Sequence, residues 1–351
     1  MKNLLTPAVQ FSALPMLGAP VTIWVAPLSG ADRCSVQDSA RNNVIKELPA
    51  SGERLPLFIV GDVHGCAKEL RELIVKAKQS VAEFQLVLVG DLFTKGPDPV
   101  GVFDIIHEFN AICIKGNHDW ALWAAMVQAQ RRGVQSLPEH TQQTLHMIRH
   151  NRRALFDFVN TLPHAFRTTV KPVRERRGWE AEYPLIIVHA GIDPVSGLAA
   201  TPERMLLTAR YVRWDDPQNR SKLLIVPSGY RAEMLAEAEQ KQVNAGPKLP
   251  TPHAQPKQRQ DATDKFRWHE LHKGPELIVF GHDAKQGLFR KTLPSGRPIC
   301  VGLDTGCTYG RQLTGYFPEL DDAVQVDAKR SYFDLARNVI ILRGPTPRIA
   351  V

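Results

Sequence analysis

The chain has 351 residues, 43% of them hydrophobic, enough to bury a sizeable core in one large domain or two smaller ones. Lysine and arginine outnumber aspartate and glutamate 44 to 36, and the resulting net charge of +8 favours anionic partners in general while also suiting a solvated basic surface. The 5 cysteines, at 34, 66, 113, 300 and 307, are odd in number and contain no CxxC pair, which excludes a disulfide framework or zinc ribbon and suits a reducing, cytoplasmic setting.

No charged residue occurs between Lys2 and Asp32, a length that could span a bilayer. Pro7, Pro15, Pro20 and Pro27 interrupt it, so residues 1–53 read as an irregular extension or a targeting segment, and no stable membrane span is expected. A catalytic domain is expected over 54–345. It opens with the run LPLFIV before Gly61, followed by FQLVLV before Gly90, NAICIK before Gly116, LIIV before His189 and ELIVF before Gly281. Such runs, rich in Val and Ile, predict strands buried on both faces.

Between the first two strands, Leu70, Leu73, Ile74 and Ala77 of AKELRELIVKAKQ share one helical face. Between the second and third, Asp98 is a helix cap with Pro99 at the first position, and Val102, Phe103, Ile106 and Phe109 form the buried stripe. The alternation of strand and helix predicts an α/β core. A helical pattern then runs from Asp119 to about Phe158 with a break at Gly133 to Pro138, and Thr168 to Tyr183 reads as a charged connection. Residues 244–264 are polar and Pro-rich, and are expected to be a disordered insertion.

Each predicted strand ends in a ligand-bearing loop: GDVHG (61–65), GDLFTKG (90–96), GNHD (116–119), HAG (189–191) and GHD (281–283). In α/β sheets, sites form at the carboxyl ends of strands, so loops distant in sequence can converge there. The ligand types are carboxylate, imidazole and amide without thiolate, which suits two divalent ions, manganese foremost, with iron, zinc, cobalt or magnesium as alternatives. One ion would take Asp62, His64 and Asp91; the other would share Asp91 and add Asn117, His189 and His282. A hydroxide bridging such a pair would attack phosphorus, and His118 would protonate the leaving group. Asp119 and Asp283 read as helix caps, and Trp214 and Trp268 as packing residues.

These motifs resemble those of the calcineurin-like metallophosphoesterases, within the phosphoprotein-phosphatase superfamily. The resemblance runs from about Phe58 to Leu313. Protein serine/threonine phosphatases carry GDxVDRG and GNHE, whereas here Thr94, Lys95 and Asp119 stand in those motifs. The chain is more similar to the bacterial symmetrical diadenosine tetraphosphatases and their eukaryotic ApaH-like relatives, with KGP after the second GD, FGHDAKQGL (280–288) and GLDTGCTYGRQLT (302–314). The resemblance implies two mixed β-sheets packed as a sandwich flanked by helices, with a dimetal site at the carboxyl ends of the strands.

It also implies hydrolysis of a phosphate-rich anion, such as a dinucleoside polyphosphate or inorganic polyphosphate. The alternatives are protein dephosphorylation and mRNA decapping, nucleic acid being a partner only if capped RNA is the substrate. No RNA-binding signature and no specific protein partner are evident. In the protein phosphatases an aspartate supports the catalytic histidine where this chain has Thr94, and an arginine clamps phosphate where it has Lys95. Lys95, Lys285 and Arg213 are the expected phosphate contacts, and Asp304 a support for a ligand histidine.

Overall fold

The structure is a computed structural model describing residues 45–216, 218–220, 222–226 and 265–342. In chain order it contains β1 (Ile45–Glu47), β2 (Leu57–Val60), α1 (Ala67–Ser80), β3 (Gln85–Leu88), α2 (Pro99–Glu108), β4 (Ile112–Cys113), α3 (Asn117–Arg132), α4 (Glu139–Met147), α5 (Arg152–Thr161), β5 (Ala165–Val170) and β6 (Tyr183–Val188). There follow α6 (Glu203–Thr208), β7 (Tyr211–Trp214), β8 (Leu223–Val226), β9 (Phe266–Arg267), α7 (Trp268–Leu271), β10 (Leu277–Phe280), β11 (Phe289–Thr292), β12 (Pro298–Gly302), β13 (Gln312–Phe317), β14 (Asp322–Asp327), β15 (Phe333–Asp334) and β16 (Val339–Ile340).

The main strands form a six-stranded mixed sheet, ordered β1-β5-β6-β10-β12-β11, and a five-stranded mixed sheet, ordered β14-β13-β2-β3-β4. Strand alternation explains why the apolar runs are continuous. Leu57, Ile59, Val87 and Val89 of one sheet meet Leu185, Ile187, Leu277, Val279 and Val301 of the other. Their neighbours Phe58, Val60, Leu86 and Leu88 face the opposite way, onto α1, α2 and α3. On the far side Ile186, Val188, Ile278 and Phe280 pack under Met205, Leu206 and Trp268. Neither sheet leaves these strands a wet face, so polar residues enter only where the strands end.

The helices form as their patterns require. Leu70, Leu73, Ile74 and Ala77 are the buried stripe of α1, and the Asp98 side chain accepts from Gly101 N at 2.8 Å with Pro99 opening α2. Three expectations change. Thr168–Val170 belong to β5, paired along β6, so the charged connection is shorter at its start. The helical stretch breaks twice, at Gly133 to Pro138 and again before Arg152, where Asn151 leads into α5. Within the expected extension, Ile45–Glu47 pair in parallel with Ala165–Arg167, while the rest of it to residue 44 and the expected insertion at 244–264 lie outside the described residues. Among the described residues no helix is long and apolar enough to cross a membrane.

At the helix-facing side of the five-stranded sheet, the Phe58 ring centre lies 4.5 Å from that of Phe317 and 5.1 Å from that of Phe84, both pairs tilted. Gly315 makes room for them, since a Cβ there would stand 2.1 Å from the Phe58 ring. Replacing Phe317, fully buried, by alanine should cost about 3–5 kcal/mol in urea unfolding. Asp98→Ala should cost about 1 kcal/mol through the lost cap.

Candidate active site

Strands β2, β3 and β4 run parallel in one sheet and β6 and β10 run parallel in the other. Their carboxyl-terminal loops meet across the seam between the sheets. Oxygens of Asp62 and Asp91 and a nitrogen of His189 lie within 4.8 Å of one another, all buried. Asp91 turns Oδ2 to His64 Nε2 at 3.4 Å and Oδ1 to His189 Nε2 at 3.5 Å. Asn117 Oδ1 lies 3.0 Å from both His189 Nε2 and His282 Nδ1. All six residues expected as ligands are thus brought together, with His118 beside them, its ring 5.2 Å from that of His64.

The backbone is bent to present these groups. His64, Asp91, Lys95 and His282 have φ of 47°, 52°, 66° and 69°, left-handed values that non-glycine residues seldom adopt. Such strain concentrates at functional sites, where surrounding contacts hold it. Two glycines permit the closest approaches: a Cβ at Gly116 would stand 2.2 Å from Asp91 Oδ1, and one at Gly281 would stand 2.0 Å from Asp62 Oδ1.

Backbone donors orient the carboxylates. Asp62 Oδ1 accepts from His282 N at 3.0 Å, and Asp91 Oδ1 from His118 N at 2.8 Å. Asp119 is a cap, as expected: its two oxygens accept from Gly116 N at 2.9 Å and Leu92 N at 2.8 Å, joining the second and third motifs. His189 Nδ1 donates across the seam to Val89 O at 2.8 Å, which leaves Nε2 as the ring's lone-pair nitrogen toward the cluster. His282 Nε2 is buried with no partner among the described residues. A lone imidazole nitrogen beside massed carboxylates is a donor set that divalent metal ions fit.

Thr94, which cannot act as a carboxylate, places Oγ1 3.3 Å from His64 Nδ1 and supports that ring. Two outer contacts differ from expectation. Asp304 acts on Asp62 rather than on a histidine, and its Oδ1 accepts from Gly306 N at 3.1 Å. Asp283 caps no helix; it pairs with Arg267 and lies 3.7 Å from Arg210, whose guanidinium also donates to His282 O at 2.7 Å. Trp268 is buried with its ring 5.0 Å from Phe280, and Trp214 is half-buried against the same core, so both are packing residues.

Of the expected phosphate contacts, Lys95 is buried, its Nζ 3.3 Å from His64 Nε2 and 5.6 Å from the Tyr309 ring centre. Lys285 is exposed on the loop after His282, and Arg213 is exposed on β7, on the face opposite buried Val212. Lys95 and Arg210 are the cations that act on His189 and His282. Period two along β7 was the signal for Arg210, because it shares the inward side with Val212, which Arg213 does not.

The titrating groups record how crowded the cluster is. Burial holds His64, His118 and His282 well below the ordinary histidine value, with Lys95 adding to it at His64 and His118 and Arg210 at His282. Burial, then Asp304 and Asp91, push Asp62 well above the carboxylate range. Asp119 rises to about 7, through burial and then Asp91, and Asp304 to about 6, mainly through burial. A carboxyl raised on folding contributes stability that is present below its unfolded value and lost as pH rises through the folded one. For Asp304 that window lies between about 3.8 and about 6.

Metal-free Asp304→Asn protein, which mimics the neutral acid, should therefore be more stable than the parent at pH 8 by on the order of 3 kcal/mol, with no such margin at pH 4, in thermal melts. Gly281→Ala should push Asp62 off its donor and weaken Mn²⁺ binding about 10–100-fold by titration calorimetry, with the fold retained.

The sequence matches the calcineurin-like phosphoesterase family over residues 55–286. Curated relatives named symmetrical bis(5'-nucleosyl)-tetraphosphatase include one from Aeromonas hydrophila, 27% identical over 76% of this chain and 94% of its own length. Another, from Vibrio parahaemolyticus, is 27% identical over 73% of this chain and 93% of its own. A solved structure assigned as a diadenosine tetraphosphatase superposes with a TM-score of 0.52 at 25% identity, covering 82% of this chain and 98% of that one. The family implies a two-metal site, for which the Asp62, Asp91 and His189 group is a candidate. The chain belongs to the calcineurin-like phosphoesterases and is a hydrolytic enzyme of that family.

Proposed function

We propose that this enzyme hydrolyses phosphoanhydride bonds in dinucleoside polyphosphates such as diadenosine tetraphosphate, with inorganic polyphosphate as a further substrate of the same bond type. The observation that carries the reading is Asp91, whose Oδ2 lies 3.4 Å from His64 Nε2 and whose Oδ1 lies 3.5 Å from His189 Nε2. That is the disposition of a carboxylate shared between two ions. Asp62 and His64 would complete one side, and Asn117, His189 and His282 the other. When bound, two divalent ions, manganese foremost, supply a hydroxide nucleophile at neutral pH and neutralise phosphate charge.

The protein's own residues do the rest. His118 is half-buried at the first turn of α3 and fixed through its backbone N–H to Asp91, so its ring is set beside the cluster. In the protonated form it gives its proton to the leaving phosphate oxygen. Lys95 attracts the polyphosphate as a compact charge at the buried floor, without the fork of an arginine. The names of the curated relatives support tetraphosphate cleavage at the symmetrical position, which would yield two nucleoside diphosphates.

Protein dephosphorylation is disfavoured because Thr94 occupies the position of the supporting aspartate and bonds His64. Mn²⁺-loaded enzyme should convert diadenosine tetraphosphate to ADP alone. His118→Asn should lower kcat about 10²–10⁴-fold while retaining bound metal, and Asp91→Asn should lose both. Turnover of a phosphopeptide with none of diadenosine tetraphosphate or polyphosphate would overturn the proposal, and cleavage of capped RNA alone would replace the substrate.

A further inference from the structure

A second group of ligand-type side chains is enclosed outside the cluster already described. Cys66 at the start of α1, Glu69 in its first turn and Cys307 in the loop between β12 and β13 place one ligand atom each within 4.8 Å of one another. None of the three is more than 1% exposed. Glu69 Oε1 accepts from the Tyr332 hydroxyl at 2.6 Å and from Lys329 N at 3.0 Å. Its Oε2 is buried with no partner among the described residues.

A carboxylate oxygen shut away from water without a donor bears its full desolvation penalty. Two sulfurs beside it supply what the first cluster lacks, since thiolates with an oxygen or nitrogen ligand are the donor set of thiophilic divalent ions. We propose that Cys66, Glu69 and Cys307 form a separate thiolate metal site for an ion of the zinc class, with Glu69 Oε2 as its oxygen ligand. Binding exchanges the two S–H protons, released to solvent, for the ion. The site would pin the start of α1, just past the GDVHG loop, to the GLDTGC loop that carries Asp304. Its role is structural support of the first cluster, which does not depend on which phosphate compound is cut.

The test uses full-length enzyme stripped of metal, kept reduced and loaded with Co²⁺. Cobalt bound through thiolate absorbs strongly in the near ultraviolet by sulfur-to-metal charge transfer, and cobalt held only by carboxylate, imidazole and amide does not. The band should appear in the parent and persist in Asp91→Asn, where the first cluster is disabled. It should vanish in Cys307→Ser. Glu69→Gln, which keeps both thiols and almost the same shape, should need more Co²⁺ to reach the same absorbance, and covers the case in which Cys307→Ser fails to fold. Absence of the band in the parent, or an unchanged band and cobalt requirement in Glu69→Gln, would overturn the proposal. So would mass analysis of unreduced enzyme finding Cys66 and Cys307 joined with the loss of two hydrogens, which would make them a redox pair.

Discussion

Asp91 sits where the two sheets meet, and the organisation of the site depends on keeping its carboxylate there, 2% exposed. An ionised carboxylate is costly to bury unless donors or cations face it. The chain supplies a backbone donor from His118 to Asp91, one from His282 to Asp62 and two to Asp119. Those donors lie just past the ends of strands that are far apart in sequence, so the carboxylates hold these segments in register as much as the segments hold them. What the donors do not offset is the burial, together with the repulsion of Asp304 and Asp91, that raises Asp62, and bound cations would relieve both.

The layered core makes this possible. With the strands that lead into the cluster buried on both faces by alternate side chains, they are stiff up to their carboxyl ends, and irregular backbone begins only there. Left-handed φ at His64, Asp91, Lys95 and His282 is tolerated because the elements on either side are rigid. The same stiffness lets His189 reach across to Val89 O, so one hydrogen bond fixes both the ring's tautomer and the spacing of the sheets at the site.

Much of this was legible in the sequence because it is local. An apolar run that stops at a glycine followed by aspartate, asparagine or histidine marks both the strand end and a side chain brought into the cluster, and Asp98 with Pro99 marks a helix start. The contacts that sequence reading missed join segments with no local signature. Thr94 with His64, Asp304 with Asp62, and Asp283 with Arg267 and Arg210 each join segments distant in sequence. Strand β1 was missed for the same reason, since its three residues become a strand only by pairing with β5. Motif spacing could not separate Arg210 from Arg213, whereas the pleat of β7 does.

In the proposed site Asp91 serves two ions at once. Electron paramagnetic resonance of the enzyme loaded with Mn²⁺ tests it without reference to any substrate. A carboxylate shared in this way should give the signal of two exchange-coupled manganese ions, lost in Asp91→Asn. A spectrum of isolated, uncoupled Mn²⁺ in the saturated parent enzyme would contradict it.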